Sequence, residues 1–166
     1  NYETLYGSWA GAFGFFQFMP STMKNYAIDY DNNNYIDLKN NNDAYASAAN
    51  YLKNIGWDKN LPCFYKINVS KEIPKKYLNT SAKKLNNKRK LKYFKRYINN
   101  SSEINTNFDN LTVSIITPDI DIIPNAQNLS PAYVVFNNYE VILKWNRSLR
   151  FSLAVCTLRD KIRNEL

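Results

Sequence analysis

The stretch Gly7–Pro20, GSWAGAFGFFQFMP, constrains this chain more than any other part of it. It is fourteen residues long, holds three of the four glycines and carries no ionisable side chain. A helix lying on a surface needs a polar face, and each interior glycine costs it about 1 kcal/mol relative to alanine. The run therefore reads as a turn-rich segment. Gly11 and Gly14 let its backbone approach a neighbour or a ligand closely. Ser8 and Gln17 supply a hydroxyl and an amide, which suit sugar hydroxyls and N-acetyl groups. Two roles fit these residues: a buried turn packed against aromatics, or the wall of a ligand groove.

The 166 residues suffice for one domain with a real hydrophobic core and a small subdomain. Aromatic residues make up 15% of the chain, with thirteen Tyr and nine Phe, which suits either a groove for flat polar ligands or an aromatic core. No stretch reaches the roughly 18–20 apolar residues of a membrane span. The chain opens on Asn1 without Met and without a signal-peptide pattern, so it is expected to be a fragment or a processed chain. Any signal or lipid anchor would then lie outside it.

A net charge of +8 predicts an anionic partner: nucleic acid, an acidic membrane surface or a bacterial cell wall. The absence of histidine excludes more. It removes Ser-His-Asp and Cys-His nucleophiles and every His-ligated metal. Proton transfer falls to carboxylic acids: Glu3, Glu72, Glu103, Glu140, Glu165 or an Asp. Cys63 and Cys156 match neither a disulfide scaffold nor a zinc site, and buried thiols are the expectation ahead of a disulfide.

Pro20 begins a helix leading through Met23, Tyr26 and Ala27. Asp29–Asn42 is a polar loop, after which Asp43 caps a second helix. Tyr45, Ala48, Ala49, Leu52 and Ile55 recur there at helical spacing, and Gly56 ends it. After Pro62 the character changes. Phe64–Val69 alternates like a strand, and Lys75–Ile98 is basic and reads as one or two short helices. Leu111–Ile116 and Ala132–Phe136 are strand candidates. Tyr139–Trp145 suits a strand or a helix start. A last helix from Ser148 is expected to bury Leu149, Ser152, Leu153, Cys156 and Leu158 or their neighbours.

The run from Gly7 to Pro20 resembles the small-residue segment followed by Gln-Phe-Met-Pro-Ser in lytic murein transglycosylases of the membrane-bound B type, members of the lysozyme-like transglycosylase family. The likeness continues through Tyr26–Asp31, Asp37-Leu38, Asp43-Ala44, Ser47–Leu52 and Gly56-Trp57. It resumes at Asn137-Asn138-Tyr139 and Trp145-Asn146-Arg147-Ser148, then Phe151 and Ala154-Val155. Between Pro62 and Ser130 it is loose. The resemblance implies a mainly α, lysozyme-like helical domain with a small α/β insertion, the core being residues 1–61 and 132–166 and the insertion 62–131. It also implies the reaction: cleavage of the β-1,4 bond between N-acetylmuramic acid and N-acetylglucosamine of peptidoglycan, with formation of 1,6-anhydro-muramic acid. By position, Ser8, Gln17, Tyr51 and Asn146 match the family's substrate contacts, and Trp145 and Phe151 stand where tyrosines are usual.

A single glutamic acid performs that reaction in the family, as acid and then as base. Glu3-Thr4-Leu5-Tyr6-Gly7 resembles its Glu-Thr-x-aromatic-Gly signature, so Glu3 is the catalytic candidate in this chain. The two signatures share Gly7 here, whereas the family separates them by several tens of residues. Either the intervening segment is missing and Glu3 is catalytic, or the acid lies upstream of Asn1. Other readings are a peptidoglycan-binding fragment without its acid and a hydrolytic muramidase.

Asp29, Asp31, Asn33 and Tyr35 fall at alternate positions, as in an EF-hand loop, with Asn34 in place of the turn glycine. Some relatives close a longer loop of this kind with an Asp where Asp43 stands, so two readings stand side by side, a structural calcium site and an Asn/Asp-rich turn with Asp43 as a helix cap, with no cofactor required for the reaction. Lys83–Tyr97 mixes cations with aromatics. It is read as a solvated helix face or a contact with anionic cell wall, and nucleic acid is not expected as a partner. Peptidoglycan strands are the expected partner, in the periplasm or at the outer membrane.

Overall fold

The computed structural model describes residues 7–119 and 129–165. The chain divides into two compact units, Asn1–Trp57 and Asp58–Leu166.

The first unit is built on α1 (Pro20–Tyr26) and α2 (Asn41–Asn54). Pro20 starts α1, where its missing N–H costs nothing. The cap of α2 is Asn40, whose side chain accepts the N–H of Asn42, and not Asp43. Asp43 lies inside the first turn and its carboxylate is committed elsewhere. The buried residues of α2 are Asp43, Ala44, Ser47 and Ala48, while Tyr45 and Ala49 are exposed. Apolar spacing misplaced this face because two of its buried side chains are polar. Ser47 Oγ accepts the N–H of Ile28 at 2.9 Å, and Asn50 donates to the Tyr26 carbonyl at 2.8 Å. These bonds pin the chain leaving α1 against α2. Gly56, at φ +105°, closes the helix.

The second unit is organised around a five-stranded sheet. Its strands are β1 (Phe64–Ile67), β2 (Leu78–Asn79), β3 (Arg89–Lys90), β4 (Thr112–Ile116) and β5 (Ala132–Val135). The order is β1-β5-β4-β2, with β3 also on β4. β5 pairs antiparallel with β1 (Tyr65 opposite Val134) and with β4 (Ile115 opposite Val134). β2 lies parallel to β4, and β3 antiparallel to it. Alternation along β4 and β5 sends Val113, Ile115 and Val134 to one core, packed with Leu91, Phe94, Ile104 and Phe136. Ser114, Ile116 and Val135, on the alternate positions, are buried too, so both faces of the sheet are covered.

The basic stretch 75–98 holds less helix than its composition suggests. α3 (Leu91–Phe94) is its only α-helical turn, with 3-10 turns at Lys75–Tyr77 and Lys95–Tyr97 and the strands β2 and β3 between them. Pairing with β4 takes these residues out of a helix, a tertiary override of local propensity. Tyr77, Tyr93 and Phe94 pack edge to face, and the Tyr77 and Tyr93 hydroxyls lie 3.1 Å apart.

Two helices follow, α4 (Asn137–Trp145) and α5 (Leu149–Glu165). The buried Tyr139 hydroxyl donates to the Leu149 carbonyl at 2.7 Å, tying them together, and burial raises its pKa. Leu149, Ser152 and Cys156 are buried on α5 as expected, but Leu158 is 59% exposed, beyond the reach of the core. The cysteines are not free thiols. Cys63, just before β1, forms a disulfide with Cys156 on α5, across 93 residues of sequence. Nothing in either cysteine's local sequence announces this partner, because the pairing depends on where α5 returns.

No helix among the described residues is long and apolar enough to cross a membrane.

Candidate functional site

The run that opened the sequence folds as a tight double turn. Ser8 makes three bonds to it: its N–H donates to the Ala12 carbonyl (2.9 Å), its carbonyl accepts from Gly11 (2.8 Å), and its Oγ accepts the N–H of Ala12 (3.0 Å). A hydroxyl that accepts still has its own proton to give, so the exposed Ser8 can donate to a ligand. Phe13 and Phe18 then exchange both backbone hydrogen bonds, at 2.9 and 2.8 Å, closing a small hairpin. Gly14 turns at its tip with φ +75°, and Phe15 N–H donates to the Leu38 carbonyl at 3.0 Å. A Cβ on Gly14 would stand 2.6 Å from that of Leu38, so glycine is what lets the loop dock there.

Gln17 sits on the same hairpin in the left-handed region, φ +50°. Its Nε2 donates to the Gly14 carbonyl at 2.9 Å, which holds the side chain over the turn while leaving it exposed. Phe18 is buried beneath, with its ring edge-on to Tyr51 (5.8 Å), and Tyr51 leans on Tyr26 (4.9 Å). Burial, with Tyr26 adding to it, raises the pKa of the Tyr51 hydroxyl, which therefore acts at neutral pH as a donor and acceptor and not as an anion. Trp9 is fully exposed on this loop, and Phe15 and Met19 are exposed with it. Ser8, Gln17 and Tyr51 thus belong to one hydrogen-bonded and aromatic assembly in the first unit. Glu3 lies outside the described residues.

In the second unit Trp145 ends α4 and Asn146 is its C-cap, exposed, with its N–H on the Ile142 carbonyl. Ser148 Oγ accepts the N–H of Phe151 at 3.2 Å, a cap that starts α5. Phe151 is exposed one turn into that helix, and Trp145 is half-buried. Sequence reading missed the role of Asn138. It is fully buried, accepts the N–H of Asp58 (2.9 Å), and donates to the carbonyls of Asp58 (2.7 Å) and Leu61 (2.8 Å). The only signal was its place in Asn137-Asn138-Tyr139.

The acidic loop between α1 and α2 draws three carboxylates together. One oxygen from each of Asp29, Asp31 and Asp43 lies within 4.8 Å of the others. Asp29 also accepts the N–H groups of Asn33 and Asn34, and Asn33 accepts that of Tyr35. Asn34 takes φ +66°, the left-handed turn that a glycine makes in an EF-hand loop. Asp43 is fully buried and accepts the N–H of Tyr30 (2.8 Å) and of Asp37 (2.9 Å). The bond from Asp37, then that from Tyr30, holds its pKa below the ordinary value despite burial, so it is charged at neutral pH. A hard cation with oxygen ligands suits such a set.

The family model described as the transglycosylase SLT domain matches residues 1–160. This chain belongs to the SLT transglycosylase domain family. It is 51% identical over 55 residues, 33% of its own length and 15% of the relative's, to membrane-bound lytic murein transglycosylase B of Escherichia coli (strain K12). SltB3 from Pseudomonas aeruginosa, solved in complex with NAG-NAM-pentapeptide, superposes with a TM-score of 0.82 at 28% identity, over 98% of this chain and 41% of that one. The Escherichia coli lytic transglycosylase SLT35, solved in complex with calcium, matches with a TM-score of 0.69 at 26% identity, over 93% of this chain and 45% of that one. The chain thus spans less than half the length of these relatives. Helices and a small sheet make up its fold.

Proposed function

We propose that this SLT domain is a lytic transglycosylase acting on peptidoglycan. The observation that carries the reading is the Gly7–Pro20 hairpin, which presents Ser8, Gln17 and exposed aromatic faces on a loop that Gly14 docks against Leu38. Aromatic faces for sugar rings beside fixed polar groups are what a glycan cleft requires. The family membership and the relatives' names support the same substrate.

In the reaction, a carboxylic acid gives its proton to the bridging oxygen as the C1–O4 bond between muramic acid and glucosamine breaks. The muramoyl 6-hydroxyl then bonds to C1, and the carboxylate takes up the hydroxyl proton. No water enters, and this sets the reaction apart from two-carboxylate hydrolysis. Glu3 is the acid within this chain on this reading, with Ser8, Gln17, Tyr51, Trp145, Asn146 and Phe151 contacting glycan. The division into a core of residues 1–61 and 132–166 with an insertion of 62–131 belongs to the same proposal.

Digestion of purified murein followed by mass spectrometry tests it. A muramoyl product lighter by one water than the hydrolytic product is expected, and Glu3→Gln should abolish it. A hydrated product would make the chain a muramidase. Binding without cleavage, unaffected by Glu3→Gln, would make it a glycan-binding fragment.

The converging carboxylates fit a calcium ion held by Asp29, Asp31, Asn33, Tyr35 and Asp43. The ion would supply structural charge neutralisation and no step of the chemistry. Calcium in millimolar excess should then raise the melting temperature of the chain and leave Asp29→Asn/Asp31→Asn unmoved. An equal response from both would remove the loop as the site. A disulfide suits an oxidising compartment, which supports placement in the cell envelope.

A further inference from the structure

The positive charge of this chain is gathered in one stretch. Residues 71–97 hold eleven of the 22 cations and one of the 14 acids, a charge of +10, so all the other residues together carry −2. Nine of the eleven are exposed and have no carboxylate partner among the described residues. The two that are paired, Lys88 with Glu140 and Lys95 with Asp109, are also the two that are half-buried.

Aromatic rings fix part of this charge in place. Lys76 Nζ and the Arg89 guanidinium both lie over the Tyr77 ring, at 5.3 and 5.8 Å, and the Arg96 guanidinium lies over Tyr93 at 4.6 Å. The two rings meet edge to face, with their hydroxyls 3.1 Å apart. Lys76, Arg89 and Arg96 therefore surround one tyrosine pair, although they come from a 3-10 turn, from β3 and from a second 3-10 turn. A ring face holds a cation without neutralising it, as a carboxylate would. Arg89 gives one N–H to the Lys88 carbonyl and Arg96 one to the Tyr93 carbonyl, and each guanidinium has further donors to offer.

What such a face can bind follows from its other surface features. Between residues 58 and 150 no large apolar side chain is exposed among the described residues. A specific protein interface is built around apolar and aromatic anchors, and single-stranded nucleic acid needs free ring faces to stack on. Tyr77 is buried, and cations already lie over its ring and that of Tyr93. A plane of phosphate headgroups requires neither anchors nor stacking, only cations within a Debye length of it. The disulfide suits an oxidising compartment, one bounded by membrane and without nucleic acid.

We propose that this face of the second unit docks on a lipid surface of anionic phosphate headgroups. Lys76, Arg89 and Arg96 meet the phosphates, and the neighbouring lysines add attraction from further out. The contact is electrostatic and leaves the bilayer interior untouched. It goes beyond the glycan reading and does not depend on it.

Cosedimentation of the chain with vesicles tests this, and because vesicles carry no glycan the result is independent of murein cleavage. The native chain should sediment with phosphatidylcholine vesicles containing about one-third phosphatidylglycerol, and not with phosphatidylcholine alone. Salt at about 0.5 M should release it. Each cation at the surface accounts for about fivefold in partition, so Lys76→Gln/Arg89→Gln/Arg96→Gln should lower it on the order of a hundredfold. Lys75→Gln/Lys90→Gln/Lys92→Gln leaves the tyrosine pair and its cations in place and should lower it by about tenfold or more. Lys59→Gln/Lys161→Gln/Arg163→Gln removes the same charge elsewhere and should lower it about twofold at most. Equal sedimentation with both kinds of vesicle, or with neither, would overturn the proposal. So would a loss in the last variant as large as in the other two, since net charge alone would then explain binding. Tighter binding to duplex DNA than to the anionic vesicles, at equal accessible phosphate, would give the face to nucleic acid and end the lipid assignment.

Discussion

At Gly14 an added methyl group would meet both the Cβ and the carbonyl oxygen of Leu38 within 2.7 Å, and φ is +75°. At Gly11 φ is similar, +82°, but the added carbon would meet only the Pro20 ring, at 3.6 Å. Gly11→Ala should therefore cost about 1 kcal/mol, the left-handed penalty alone. Gly14→Ala should cost about 3 kcal/mol or more, because the hairpin must also lift from Leu38. Urea denaturation compares them, and equal losses would refute the docking role of Gly14. Asp43 offers a second test at this scale. Its pKa is lowered in the folded state, so its contribution to stability is present above the unfolded carboxylate value and disappears as pH falls through the folded one. Acid melts of the native chain should lose stability over that window. Asp43→Asn should be less stable at neutral pH and show a flatter acid limb, since its amide has one acceptor for two backbone donors. A variant with an unchanged acid limb would remove Asp43 from this role.

Elements in this chain are held by a few long-range ties. Asn138 fastens the start of α4 to Asp58 and Leu61, Tyr139 fastens α4 to α5, and the disulfide fastens α5 to the entry of β1. Closing a loop of 93 residues of separation stabilises a fold chiefly by restricting the unfolded chain, typically by about 2–4 kcal/mol. Cys63→Ser/Cys156→Ser should be destabilised by that amount in denaturant melts, and reductant should bring the native chain to the same midpoint. A native chain indifferent to reductant would show that the bond contributes nothing. The helices α1, α2 and α5 were legible because capping residues, prolines and spacing act within a few residues. The buried face of α2 was not legible, since Asp43 and Ser47 are inside by virtue of bonds to Tyr30, Asp37 and Ile28, outside the helix itself.

For the molecule as a whole, the net charge of +8 sets a further expectation. Retention on insoluble murein should weaken as salt rises from about 50 to 300 mM, because screening shortens the reach of exposed lysines. Retention indifferent to salt would assign binding to the glycan contacts alone. The Gly7–Pro20 run, the Asn-rich acidic loop, the lack of histidine and the glutamate signature are each a property of a short window of residues. Sequence by itself was therefore enough for the family and for most helices, while the acid it points to, Glu3, belongs to the proposal. Tertiary structure alone decided which distant residues meet: Cys63 with Cys156, and Lys83 with Arg147 across one groove. The reason is physical. Local preferences follow from backbone sterics and side-chain period within a turn or two, whereas these meetings follow from how strands register and helices return, which no short window encodes.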